Sequence, residues 1–349
     1  MNLPKHERPP GSRESRRWLA VTLWALSVSG VASSSAMTQS PPLVLVRDTP
    51  LPGKAVRFDY QDIDSTKKRL FIAHMNDASV DVVSTVDGSL LKVISPIASP
   101  RGVVVAADIK RVFVTSLPNQ LVILDSDSLL VHGRVETGSS PDGVAWDPTH
   151  HTVGVSDQGD GALSLIAESG TGARKHVALG NETGNVVFDN THATFWITVV
   201  NGAGPDQLVS VAPVGANIVD KIPLPGCSGA HGLRLHPNGK SALIACEKNS
   251  MVARVQLDGA HAVTLAPSGL EPDVLAIDAG LKLLYVASES NDVRVFDLSK
   301  PGLVPAGRAR PGPASHTVAC DAATHQVFFP LAVGPQGTPV LRVMRPPGS

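Results

Sequence analysis

Asp59, Arg101, Asp142, Gly184, His231, Asp273 and His316 occupy equivalent places along the chain, and all but the glycine carry a charged or titratable side chain. Asn185 follows the glycine and adds an amide. Carboxylates and imidazoles brought together in this mixture are donors for a divalent cation. Asp59, His231, Asp273 and His316 are the candidate metal ligands among them. The same groups could relay protons to or from a water, which is general acid–base chemistry. Arg101 points the other way: a guanidinium among carboxylates could neutralise them and leave no metal to bind. A purely structural reading also stands, in which these side chains cap strands, satisfy backbone groups and hold water.

These places are defined by a repeat. The residues one position further on are Tyr60, Gly102, Gly143, Asn185, Gly232, Val274 and Thr317, separated by 42, 41, 42, 47, 42 and 43 residues. Four residues beyond each mark lies Asp64, Asp147, Asp189, Asp278 or Asp321, with Ala106 and His236 in the other two units. A β-rich run follows each one: LFIA, VFVT, VGVS, FWIT, ALIA, LYVA and VFFP. A period in the low forties built of short strands is the signature of propeller blades. The expected fold is therefore all-β, a seven-bladed β-propeller spanning residues 42–345, with 346–349 a loose tail. The recurrent Asp opens a turn and is expected to accept backbone N–H bonds there. The last unit supplies only three strands. The orphan strand at 42–47 is expected to complete the seventh blade and so close the ring. The 47-residue step is assigned to an insertion, NGAGPDQ, from Asn201.

In a propeller the seven candidate places open the innermost strands, so they should converge at one mouth of the central channel. Loops carrying His74, Asp157, Glu247 and Glu289 should rim that face. No G-x-S-x-G is present, and no inner-strand glutamate is evident.

Composition agrees with this architecture. Charged residues make up 17% and aromatics 4% of 349 residues, with 31 Gly and 28 Pro, a mix suited to many tight turns. Residues 1–36 differ: Lys5, Arg8, Arg13, Arg16 and Arg17 precede an apolar run and then VASSSAM. That is a signal-peptide layout, with cleavage after Ala36 or Ala32 and a twin-arginine resemblance at Ser15–Leu19. Its apolar run is short for a membrane span. Residues 37–41 are expected to be a flexible N-terminus. Losing 1–36 takes away five basic and two acidic residues and moves the formal charge from −1 to −4. A mildly acidic domain without a basic stripe gives nucleic-acid binding little support. A periplasmic or secreted monomer, with no membrane span after cleavage, is expected. Of the three cysteines, Cys227 and Cys246 flank one hairpin and could pair in an oxidising compartment if the preceding loop folds back; reflection about the turn puts Cys246 opposite Gly232. Cys320 should be a buried free thiol on an inner strand.

Phe58-Asp59-Tyr60-Gln61 with Leu70-Phe71-Ile72-Ala73-His74 resembles the opening of the exported YVTN-type, YncE-like propellers. Pro141-Asp142-Gly143, Gly184-Asn185, His231-Gly232, Pro272-Asp273-Val274 and Ser315-His316-Thr317-Val318 resemble their later repeats. The resemblance covers about residues 54–332 and implies fold and an exported location more than chemistry. Arg101 departs from the expected Gly or His. The leading expectation is a binding or scaffold module that presents the channel mouth to a small ligand, a metal ion or a partner protein. The alternative is a metal-dependent, lactonase-like hydrolase at the same mouth.

Overall fold

The computed structural model describes residues 42–349. The expected signal peptide at 1–36 and the 37–41 segment lie outside them. The described residues fold into seven sheets, each of four antiparallel strands. Six blades are continuous in sequence, over 61–94, 100–136, 141–178, 182–223, 230–267 and 272–309. The seventh takes Ala319–Asp321, Gln326–Leu331 and Val340–Arg345, and its outermost strand is Val44–Pro50. Thr49 lies opposite Leu341, and Arg342 clasps Asp48 through Nε at 2.8 Å and a terminal nitrogen at 2.5 Å. The closing strand thus runs further than the expected 42–47. Each inner strand touches the next around the ring, and the seventh touches the first. No helix among the described residues is long and apolar enough to cross a membrane.

Alternation along the strands builds the core between blades. Phe71, Val82 and Ile94 of the first blade pack with Val112, Val122 and Leu124 of the second, all buried. Each such side chain contributes about 1.5–3 kcal/mol by leaving water.

The recurrent acids do what short polar turn residues do. Asp64 accepts from the backbone N–H groups of Thr66 and Lys67, Asp147 from Thr149 and His150, and Asp189 from Thr191 and His192. His236 takes the same part through Nδ1, which accepts from Asn238 N–H at 3.1 Å.

Three local expectations need correction. The long step in the fourth unit is shared between two connections, 201–206 and 224–229, rather than residing in one insertion. Asp206 ties both down, accepting from Asn201 N–H at 3.0 Å and Ala230 N–H at 2.8 Å. The tail after Arg345 turns back on itself, with Ser349 donating to the Pro346 carbonyl. Cys320 is free and sits on the seventh inner strand, but it is only partly buried.

Candidate functional site

Backbone geometry aims the candidate side chains. In five blades the pairing of inner and second strands breaks its register across residues 101–102, 142–143, 184–185, 231–232 and 273–274. A β-bulge bends a strand and re-aims the residue it carries. The glycine at the mark is needed because the neighbouring inner strand comes so close. A Cβ on Gly102 would stand 2.2 Å from the Asp142 carbonyl oxygen, and one on Gly232 would stand 1.8 Å from that of Asp273. Hydroxyls on the second strands fasten neighbouring blades together. Thr115 donates to the Asp142 carbonyl at 2.6 Å and Thr198 to the His231 carbonyl at 2.7 Å.

The mouth is a cavity of about 360 Å³ lined by Asp59, Arg101, Asp142, His231 and Asp273 among the expected residues. Two expected residues stand outside its lining. Asn185 turns its Oδ1 onto the Val186 N–H at 3.0 Å. His316 is buried behind the wall, 1% exposed, with Nε2 against the Phe58 carbonyl at 3.1 Å. Glu247 and Glu289 reach the mouth from the rim as expected, but His74 and Asp157 do not. His74 is stacked on Phe58 and faces Asp81 at 3.2 Å, while Asp157 accepts from Gly138 N–H and the Ser164 hydroxyl. Both are absorbed into blade packing.

Five lining residues were not anticipated: Tyr60 and Met75, and the polar Arg57, Gln158 and Glu182. Glu182 opens the fourth inner strand, so the mouth does have an inner-strand glutamate. Arg57 and Glu182 both lie three residues before a mark, and reading that column of the repeat would have found them.

Charge organises the cavity into two linked groups. His231 bridges two carboxylates, its Nε2 3.5 Å from Asp142 Oδ2 and its Nδ1 3.3 Å from Asp273 Oδ1, neither aligned as a hydrogen bond. Arg101 lies 3.6 Å from Asp142 Oδ1 and donates to Gln158 at 3.0 Å, and Gln158 donates to Glu182. Arg57 donates to Glu289 Oε1 at 2.6 Å and lies 3.7 Å from Asp273 Oδ2.

Burial, with Asp142 and Asp273 nearby, pushes the Asp59 carboxyl up to about 8, against the pull of Arg57 and Arg101. Asp142 is raised as well, by burial, although His231 and Arg101 oppose this. For Asp273 burial is outweighed by His231, His316 and Arg57, which hold it below the usual carboxylate range. Burial lowers the His231 imidazole, but Asp273 and Asp142 more than reverse this and push it up to about 10. At neutral pH Asp59 is therefore protonated and His231 is a cation lying between Asp142 and Asp273.

Asp59 keeps its proton in the fold until about pH 8, whereas an unfolded aspartate loses it near pH 4. The native state binds the extra proton in between, so this group removes stability as pH rises through that window. Asp59→Asn cannot ionise. It is expected to stabilise the fold by up to about 5 kcal/mol at pH 9 and to change little at pH 4. Urea melts at the two pH values decide it, and an equal effect at both would refute the assignment.

Among the expected metal ligands, Asp273 and His316 come together with Glu289, each offering an atom within 4.8 Å of the others. Asp59 and His231 lie outside that set.

No protein-family model matches the chain. No curated protein matches it either. Solved structures share the fold. A chain of Kuenenia stuttgartiensis hydrazine synthase superposes with a TM-score of 0.70 at 16% identity, covering 81% of this chain and 93% of that one. The U3-55K structure gives 0.70 at 12% identity, over 85% of this chain and 98% of that one. A chain of the mitotic checkpoint complex gives 0.72 at 10% identity, over 94% and 99%. At these identities the likeness is one of fold, the β-propeller.

Proposed function

We propose that this propeller is a non-catalytic binding module that holds a small, polar, amine-bearing ligand at its channel mouth. The observation that carries this reading is a surplus of buried carboxylate. Asp142 and Asp273 are both less than one-tenth exposed, and Asp142 Oδ2 has no hydrogen-bond partner among the described residues. Glu182, Glu247 and Glu289 add to them, against Arg57, Arg101 and His231. A ligand ammonium supplies the missing donors and charge, and such charge-assisted bonds are the strong ones.

The test is calorimetric titration of spermidine and L-lysine, with citrate as the control. Amine binding that weakens about tenfold in Asp142→Asn is expected, one lost charged contact being worth roughly that factor. Heat from citrate and none from either amine would overturn the reading.

Export supports the same picture. The basic-then-apolar layout of 1–36 and a disulfide between Cys227 and Cys246 fit a periplasmic or secreted protein. The resemblance to exported YVTN-type propellers points to the same location. One structural neighbour belongs to a named complex, the mitotic checkpoint complex, which motivates a partner protein as another occupant of this face. A lactonase-like hydrolase is the second reading, motivated by the Asp273, Glu289 and His316 set. Metal-dependent turnover in a lactone panel would replace binding as the function.

A further inference from the structure

His316 is oriented as a ligand with nothing to ligate. Its Nε2 lies 3.1 Å from the Phe58 carbonyl oxygen, an atom that can only accept. Nε2 is therefore the nitrogen that donates to that oxygen, which leaves Nδ1 as the one free to ligate; fixing the ring through its far nitrogen is how metal-binding histidines are prepared. Nδ1 is buried and has no hydrogen-bond partner among the described residues. It faces Glu289 Oε2 at 3.7 Å, with a carboxylate oxygen of Asp273 within 4.8 Å. One ring nitrogen facing two carboxylates in a buried wall calls for positive charge between them, which a proton on Nδ1 or a metal ion supplies.

Arg57 meets only half of that demand. Its guanidinium donates to Glu289 and approaches Asp273, but it makes no hydrogen bond to His316 Nδ1. An arginine has donors only, so a favourable contact there would be available if it moved, and a metal ion could equally take the place.

We propose that Asp273, Glu289 and His316 form a binding site for one divalent transition-metal ion, and that Arg57 is the internal cation competing for the same two carboxylates. One imidazole nitrogen with carboxylate oxygens is a donor set suited to zinc and its neighbours in the first row. The site either keeps the guanidinium between Glu289 and Asp273 or exchanges it for metal. This rests on the mouth being a binding site, yet it uses atoms apart from the Asp142 side that the amine reading requires.

The experiment is zinc titration of the tag-free chain, purified with chelator and dialysed. Wild type should bind one zinc per chain. Arg57→Met, which removes the guanidinium from both carboxylates and leaves Asp273 only His231 as an ion-pair partner, should bind about tenfold tighter, and His316→Ala should lose the site. Because His316 is buried, Glu289→Gln at the open side of the set is the second variant, expected to weaken zinc about tenfold or more. Surface pairs such as His192 with Asp189 and Asp258 could add weak zinc, but that fraction survives His316→Ala. No zinc on either wild type or Arg57→Met, or stoichiometric zinc retained in both His316→Ala and Glu289→Gln, overturns the proposal. Spermidine is titrated into the same preparation. Amine binding without zinc defeats this inference alone, and zinc without amine defeats the amine reading alone.

Discussion

Gly232→Ala is expected to destabilise the propeller by about 4 kcal/mol or more, enough to leave much of the chain unfolded under mild conditions. The added Cβ would stand 1.8 Å from the Asp273 carbonyl oxygen and 2.8 Å from Leu275 Cδ1. The first of these neighbours is backbone, so it cannot rotate away. Relief requires separating the inner strands of the fifth and sixth blades, which also carry His231 and Asp273. The substitution should therefore damage the mouth as well as the fold. Gly133→Ala is the matched control: it lies on an outer strand with nothing within 4 Å of its would-be Cβ, and should change stability by less than about 0.5 kcal/mol. Denaturant melts of both variants provide the comparison. If Gly232→Ala costs less than about 1 kcal/mol, close approach is not the reason for that glycine.

Loss of the Cys227–Cys246 disulfide is expected to cost about 3 kcal/mol. The bond closes a loop of 19 residues that contains the whole inner strand of the fifth blade. Cross-linking those ends removes unfolded conformations that the reduced chain would otherwise explore. Both sulfur-bearing side chains are buried, in a cluster with Leu224, Ala230 and Ala253. For a domain of this size the cost corresponds to a melting point lower by roughly 5 °C. Calorimetric scans with and without reductant should show that drop in the wild type and none in Cys227→Ala/Cys246→Ala. Equal melting points of wild type in both buffers would remove the disulfide from the account of stability.

The fold was legible because a propeller repeats its constraints. The turn aspartates, the β-rich runs and the near-constant spacing each restate one blade, so errors in single units do not accumulate. The orphan N-terminal strand followed from counting strands, although its range moved from 42–47 to Val44–Pro50. The site was legible only in its first column. Asp59, Arg101, Asp142, His231 and Asp273 share a phase with the repeat and do converge. Asn185 sits at a bulge, which can send neighbouring residues to different sides, while His316 precedes the seventh inner strand and turns its ring onto the Phe58 carbonyl. Arg57 and Glu182 were missed because the column three residues before the mark was not read alongside the first. His74 looked like a rim residue by loop position, yet Phe58 and Asp81 draw it inside. The strand partner of Cys246 is Ala230 rather than Gly232: the bulge at 231–232 shifts the register by one residue, and the hairpin itself pairs one residue off the reflected register.

The strand 44–50 is the first described element and pairs with one of the last, so the molecule is fastened by a latch whose two halves are almost three hundred residues apart. A chain emerging from its N-terminus must carry that half unmatched while six blades are made. Until residues 340–345 appear, the strand 44–50 has no partner and the ring stands open between the first blade and the sixth. Contacts of such range are late to form and slow to find. The growing protein consequently lives for most of its assembly as an arc rather than a circle, with an unpaired sheet edge that invites other chains. Anything that shields the segment around Asp48 during that interval governs how many circles are finished.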